Sequence, residues 1–345
     1  MRIYYWGIVF GLCLLTACDD GDAILIPEER AEAEVTVVCS VNGPGDNGYN
    51  DAALRGVIEF GQRTGTQLSL IHPADTDEAV RVTEEWKRCT AGKRPRLLIL
   101  AGSDYETVAR ERCGGLADNQ RVLFFEGGEG LPDRVSTFSI CRNGTAYLAG
   151  CMAQGCPEAH IVKACPGDMV VEEAASAFAS GYMKYSAGGL LEVHTLASDY
   201  TGYAMPDSTY RMMARVDADN PGGRFYFPLA GGSNNGIYKF SREESFTLML
   251  VCGMDTDCQT YSNRVPFSVV IDIGRVLDEL LTQWKCTGRI ADRTVYGMRS
   301  GVIDVVVSRL FHTNANIWED YYEDEFYWDR LYDKYKVEAM AMEEL

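Results

Sequence analysis

The strongest constraint on this chain is an alternation that runs twice. Short apolar or β-branched segments at 35–41, 67–71, 96–100, 121–125 and 135–140 are separated by helical-period segments at 51–64, 78–89 and 105–116. The pattern restarts after a helical stretch at 146–152. Strand-like segments at 161–164, 191–196, 224–229 and 246–251 are separated by helical stretches at 170–185 and from 210 onward. Strands read as continuous apolar runs when both faces of a parallel sheet are covered by helices, so this order predicts α/β architecture. A helix is expected over 268–284, and one or two amphipathic helices in the acidic, aromatic stretch 316–344. About 310 folded residues is large for one core and suits two lobes.

The N-terminus predicts export. Arg2 is followed by an apolar run from Ile3 to Leu15, too short for a bilayer span and of signal-peptide length. It ends in Leu15-Thr16-Ala17-Cys18, a branched apolar residue, two small residues and a cysteine, the pattern of a bacterial lipobox. Cys18 is the expected lipidation site, with stable multi-chain anchoring to a bacterial membrane at the periplasmic face or the cell surface. Asp19-Asp20-Gly21-Asp22 and the acidic residues up to Glu34 read as a solvated tether. The formal charge is −18, and loss of Arg2 on cleavage makes it one unit more negative. That excess argues against nucleic acid or an anionic lipid surface as partner.

Ten cysteines lie beyond Cys18: Cys39, Cys89, Cys113, Cys141, Cys151, Cys156, Cys165, Cys252, Cys258 and Cys286. In an exported protein an even number reads as a disulfide set, with Cys151/Cys156, Cys252/Cys258 and Cys89/Cys113 as candidate pairs. The alternative is buried thiols. No C-x2-C zinc spacing is present. The four histidines, His72, His160, His194 and His312, are scattered and form no H-x-x-x-H pair, so neither a metal nor histidine-based catalysis is expected. There is no G-x-S-x-G elbow and no P-loop. The expectation is a non-enzyme without cofactor.

Ligands of open α/β sheets bind beyond the carboxyl ends of the strands. The candidates there are Asp46, Tyr49 and Asn50; Ser103, Asp104 and Tyr105; Glu126; Asp168 and Met169; Asp199 and Tyr200; Gly231 to Asn235; and Asp255 and Asp257. Carboxylates, amides and tyrosines suit a neutral, hydroxyl-rich or heteroaromatic ligand and suit a phosphate poorly. Each segment also has a plainer reading. Gly43-Pro44-Gly45-Asp46-Asn47-Gly48 is a turn whose Asp46 or Asn47 could cap the next helix. The 231–236 and 255–257 segments could be simple connections.

Taken in order, these segments resemble the basic membrane protein (BMP) family of purine nucleoside receptor A-like, substrate-binding lipoproteins. The resemblance rests on Asp46-Asn47-Gly48-Tyr49-Asn50 with Gly56 behind it, and on Tyr147-Leu148-Ala149-Gly150. It continues through Pro166-Gly167-Asp168-Met169 and Phe178-Ala179-Ser180-Gly181. Ala230-Gly231-Gly232-Ser233-Asn234-Asn235-Gly236, Gly253-Met254-Asp255-Thr256-Asp257-Cys258-Gln259 and Tyr296-Gly297 complete it. It spans about residues 35–307. Two positions depart from the family: Gly48 replaces a serine, and a lysine has no counterpart in the 267–272 stretch. The resemblance implies a periplasmic-binding-protein type I fold with two Rossmann-like lobes, a hinge and a cleft. Tyr49 would stack on a nucleobase, Asn50 or Asp104 would hydrogen-bond its edge, and Tyr200 would oppose it. Gly232 and Asp255 would meet the ribose. The implied organisation is a signal peptide over 1–17, a tether over 18–34, lobe one over 35–141 with about 268–297, lobe two over 142–267 with about 298–315, and a helical extension over 316–345. The implied role is capture of a nucleoside-like ligand by a monomer that delivers it to an ABC permease. The alternative is a surface or sensory interaction lipoprotein whose ligand is changed or absent.

Overall fold

The computed structural model describes residues 22–24, 33–89, 94–219, 223–243, 249–313 and 326–344. The expected signal peptide, Cys18 and the tether residues 18–21 and 25–32 lie outside the described residues, as do 314–325.

Two parallel sheets organise the chain. In the first, β2 (Glu34–Cys39), β3 (Gln67–Ile71), β4 (Arg96–Ala101), β5 (Gln120–Phe125) and β6 (Val135–Ile140) run parallel in the order β3-β2-β4-β5-β6. Leu97 to Leu100 on β4 are fully buried, as a doubly covered strand requires. β1 (Asp22–Ile24) adds antiparallel to the free edge of β3, so three residues of the expected solvated tether are in a strand. An open sheet edge presents unpaired N–H and C=O groups, and a neighbouring segment can satisfy them. Around this sheet lie α1 (Tyr49–Thr64), α2 (Thr76–Arg88) and α3 (Glu106–Arg112). Helix α2 starts on a reciprocal cap: Asp75 accepts from the Glu78 amide, and Glu78 accepts from the Ala74 amide.

The second sheet holds β7 (Glu158–Lys163), β8 (Leu190–Thr195), β9 (Arg224–Leu229) and β10 (Met249–Val251), parallel in the order β10-β9-β7-β8. One residue beyond β10, β11 (Gly253–Asp255) pairs with β12 (Phe267–Ile271), which pairs antiparallel with β14 (Ile303–Val307). Helices α5 (Met169–Tyr185), α6 (Pro206–Asp219) and α7 (Asn234–Glu243) connect these strands.

The 268–284 segment is not one helix. Its first four positions, 268–271, lie in β12, and α8 (Ile273–Thr287) begins after Asp272, whose carboxylate accepts from the Arg275 amide. The β-branched run Val269-Val270-Ile271 finds partners on both sides in β11 and β14, and these override the helical spacing of its apolar residues. Helix α8 then packs on α1, and β13 (Arg293–Tyr296) pairs with β6 in the first sheet. The chain thus crosses between the sheets after β6, after β12 and after β13.

The crossover helix α4 (Asn143–Met152) is almost wholly buried. It meets α5 backbone to backbone. A Cβ on Gly150 would stand 2.2 Å from the Phe178 carbonyl oxygen, and one on Gly181 would stand 2.2 Å from that of Tyr147. Two of the motifs used for the family resemblance, Tyr147–Gly150 and Phe178–Gly181, therefore serve helix packing. The other face of α4 is covered by α10 (Tyr327–Ala341). That helix buries Trp328 against Phe267 and Phe311, and its Glu338 accepts from Tyr147, Tyr185 and Lys184. Within the described residues, the expected C-terminal helix is a packed element.

None of the ten cysteines is joined in a disulfide. The expected pairs Cys151/Cys156, Cys252/Cys258 and Cys89/Cys113 are not formed. Two of the buried thiols bond to nearby backbone: Cys252 donates to the Gly253 carbonyl and Cys258 to that of Thr256. Burial pushes the thiols of Cys39 and Cys165 up to about 11 and those of Cys113 and Cys151 up to about 12, which keeps them protonated. No helix among the described residues is long and apolar enough to cross a membrane.

Candidate functional site

Each sheet has one topological switch point. In the first it lies between β2 and β4, in the second between β7 and β9. The loops after these four strands face one another, and between them lies a cleft of about 920 Å³, its open mouth included. A concave site between facing strand ends is where such folds hold small molecules.

The first lobe contributes Ser40, Asn42, Asp46, Tyr49 and Asn50 after β2, Gly102, Ser103 and Asp104 after β4, Glu126 at the end of β5, and Arg142 after β6. The second contributes Asp168 and the start of α5, Tyr200 and Tyr203, the 229–232 turn, and Met254 and Asp255. All seven ligand-binding candidates therefore line one cleft: Asp46, Tyr49, Asn50, Asp104, Tyr200, Gly232 and Asp255. Other candidates do not line it, Ser233, Asn234 and Asn235 among them. Tyr105 is buried in the core and donates to the Cys39 carbonyl. Met169 is exposed at the start of α5. Asp199 caps the turn at Thr201, and Asp257 holds the Gln259 amide.

Hydrogen bonding separates the polar groups into two sets. Asp46 accepts from the amides of Gly48, Asn50 and Asp51, so it shapes the loop while lining the cleft. Asp104 accepts from the Ser40 hydroxyl and the Val41 amide. Asp168 caps α5 at Val170 and accepts from the Tyr203 and Ser103 hydroxyls. Glu126 accepts from the Tyr49 hydroxyl at 3.0 Å, the Arg142 guanidinium at 2.9 Å and the Ile140 amide at 3.0 Å. The side chains of Asn42, Asn50 and Tyr200 and the Asp255 carboxylate carry no hydrogen bond to another described residue. These four can engage a ligand without giving up a protein hydrogen bond.

Burial pushes the Asp104 and Asp255 carboxyls up to about 6. For Asp255 the Arg142 charge works against the rise, while Asp46 and Glu126 add to it. Burial also holds the Tyr49 hydroxyl far above its ordinary value, with Glu126 adding to the effect. Five carboxylates against the single guanidinium of Arg142 make the cleft a poor home for an anion. Arg142 also lies 5.7 Å from the centre of the Tyr49 ring and covers one of its faces. Tyr200 and Tyr203 lie nearly parallel in the opposite wall, 6.1 Å between ring centres. Two non-glycine residues of the cleft hold positive φ, Glu126 at 58° and Asp255 at 67°. Such conformations cost about 1–3 kcal/mol each and persist where the surroundings impose them.

The lobes touch at the cleft mouth. Asn235 donates to the Asp46 carbonyl at 3.1 Å, Asn47 donates to the Asn235 side chain at 3.4 Å, and Thr256 and Tyr261 donate to the Asn47 carbonyl. This is a closed arrangement.

Arg142 and Tyr203 escaped the sequence reading. Both follow the carboxyl end of a strand, β6 and β8, so the rule that selected the other candidates was the available signal. The histidines are not all scattered either. His160 on β7 and His194 on β8, 34 positions apart in the chain, lie 2.9 Å apart between ring nitrogens.

Two doubly wound α/β sheets facing each other across a cleft define the periplasmic-binding-protein type I architecture. Several solved structures share it. A solute-binding protein of an ABC transporter system from Aeropyrum pernix K1 matches with a TM-score of 0.69 at 14% identity, over 90% of this chain and 89% of that one. A transcriptional activator of the comK gene from Bacillus halodurans matches with a TM-score of 0.63 at 11% identity, over 83% and 95%. A carbohydrate transporter solute-binding protein from Agrobacterium radiobacter, in complex with D-arabinose, matches with a TM-score of 0.56 at 14% identity, over 85% and 99%. Likeness at these identities shows the fold. No protein-family model matches the chain, and no curated protein matches it in sequence.

Proposed function

We propose that this protein captures a small, neutral, polar ligand, a purine nucleoside or a molecule of similar shape and hydrogen bonding, and that it is anchored at Cys18 as the binding component of an ABC importer. One observation carries the ligand claim. The Asp255 carboxylate and the Asn50 side chain, with no hydrogen bond to another described residue, line one cleft that has Tyr49 in one lobe and Tyr200 in the other. Ligand hydroxyls or ring N–H groups donate to Asp255, Asn50 reads a polar edge, and a ring packs on tyrosine. The excess of carboxylates disfavours phosphorylated ligands. Closure follows if the ligand binds the closed form better than the open one.

A thermal-shift screen against purine nucleosides, nucleobases and pentoses tests this. A ligand at about 100 times its dissociation constant adds about 2.7 kcal/mol. No shift with any purine nucleoside removes the nucleoside reading, and a shift with pentoses alone moves the assignment to sugars. Absence of any response favours the second reading, a surface or sensory lipoprotein with this fold and no such ligand. The anchor is tested separately: palmitate labelling that survives Cys18→Ala excludes Cys18 as the lipidated residue.

A further inference from the structure

We propose that His160, Glu192 and His194 form a binding site for one divalent transition-metal ion of the zinc class, at the open edge of the second sheet. This site is separate from the cleft and independent of the ligand reading above. In the parallel register of β7 and β8, His160 stands opposite Glu192 and Val162 opposite His194, so the three side chains share one face. His160 Nδ1 lies 2.9 Å from His194 Nε2, and a Glu192 carboxylate oxygen lies 3.7 Å from each of those nitrogens. Zinc bonds of about 2.0–2.1 Å in tetrahedral geometry separate neighbouring ligand atoms by about 3.3–3.4 Å, the mean of this triangle. The fourth position is left to solvent, since β8 is an edge strand and Glu192 is exposed.

A second observation points the same way. The other ring nitrogen of His160, Nε2, is buried without a hydrogen-bond partner, in a side chain that is 1% exposed. It faces a Glu158 carboxylate oxygen 3.8 Å away, and Glu158 is held by Arg224 at 2.9 Å. Coordination through Nδ1 fixes the proton on Nε2 and aims it at that carboxylate. Metal-bound histidines are oriented by this carboxylate–histidine arrangement. Without metal, the two imidazoles share one proton along the line between Nδ1 and Nε2. An ion takes its place, the proton moves to an outer ring nitrogen so that both rings stay neutral, and the lone pairs turn by about 35° each to reach a tetrahedral angle. His194, the more exposed ring, has the freedom for most of that movement.

The test is calorimetric titration of the purified, chelator-treated protein with Zn²⁺, together with Co²⁺ substitution read by visible absorption. The expected result is one tight site, a Co²⁺ spectrum of tetrahedral intensity, and a loss of affinity of at least tenfold in both Glu192→Gln and His194→Gln. Both changes are at solvent-touching positions, and circular dichroism checks that the variants are folded. No saturable uptake overturns the proposal, and so does uptake that is the same in the two variants as in the parent.

Discussion

At the scale of single residues, the cleft is costly to the folded protein without ligand. Asp255 is the clearest case. Its carboxyl is raised from 3.8 to about 6, first by burial. A raised acid stabilises the fold fully below its unfolded value, and that contribution is lost as pH rises through 6. At pH 7 the ionised group is therefore a burden, smaller than the about 3 kcal/mol that the full shift implies, because the side chain still touches the cleft. Asp255→Asn is expected to raise the melting temperature at pH 7, with the gain fading below about pH 4. In the same variant, affinity for the ligand should fall at least tenfold by calorimetry, and unchanged affinity would exclude Asp255 from the site. Arg142 poses the opposite problem. Its partner Glu126 is 6% exposed, so Arg142→Met strands a buried carboxylate and should cost about 3–5 kcal/mol in urea unfolding. The double change Arg142→Met with Glu126→Gln should recover much of that loss. Failure to recover would mean that Arg142 acts through packing rather than charge.

At the scale of elements, α4 ties the molecule together, with α5 on one side and α10 on the other. The contact with α5 depends on two glycines whose missing side chains let backbones meet. Gly150→Ala places a methyl against a carbonyl and should cost about 1–3 kcal/mol, read from the shift of the denaturation midpoint. The contact with α10 depends on Trp328, which is 1% exposed. Trp328→Ala should cost about 3–5 kcal/mol, and a loss below 1 kcal/mol would mean that α10 is not integral to the fold. The strands and most helices were legible in advance because apolar periodicity reports local burial. Helix 268–284 was misread because Phe267-Ser268-Val269-Val270-Ile271 satisfies either period, and only its partners β11 and β14 select the strand.

At the scale of the whole molecule, closure rests on few direct contacts. Asn47 and Asn235 make most of the side-chain hydrogen bonds at the mouth, and both are partly solvated. Each such bond contributes about 0.5–1.5 kcal/mol, so the closed form is only modestly favoured by them. Asn235→Ala should shift the ligand-free protein toward an open form, seen as a larger radius of gyration in small-angle scattering. Saturating ligand should restore the compact value. An unchanged radius without ligand would place the closing energy elsewhere.

By itself, the sequence determined the α/β class, the two-lobed organisation and the strand ends that carry the cleft. Burial and backbone turns at those ends leave local traces, as at Asp46, Tyr49 and Gly232. Only the tertiary structure decided which polar groups remain for a ligand, because Asp104, Glu126 and Asp168 are taken up by partners distant in the chain. It also decided against disulfides, since cysteine number carries no information about which thiols meet. The His160–His194 pair belongs with these: neither residue is informative alone, and the register of two parallel strands is what brings them together.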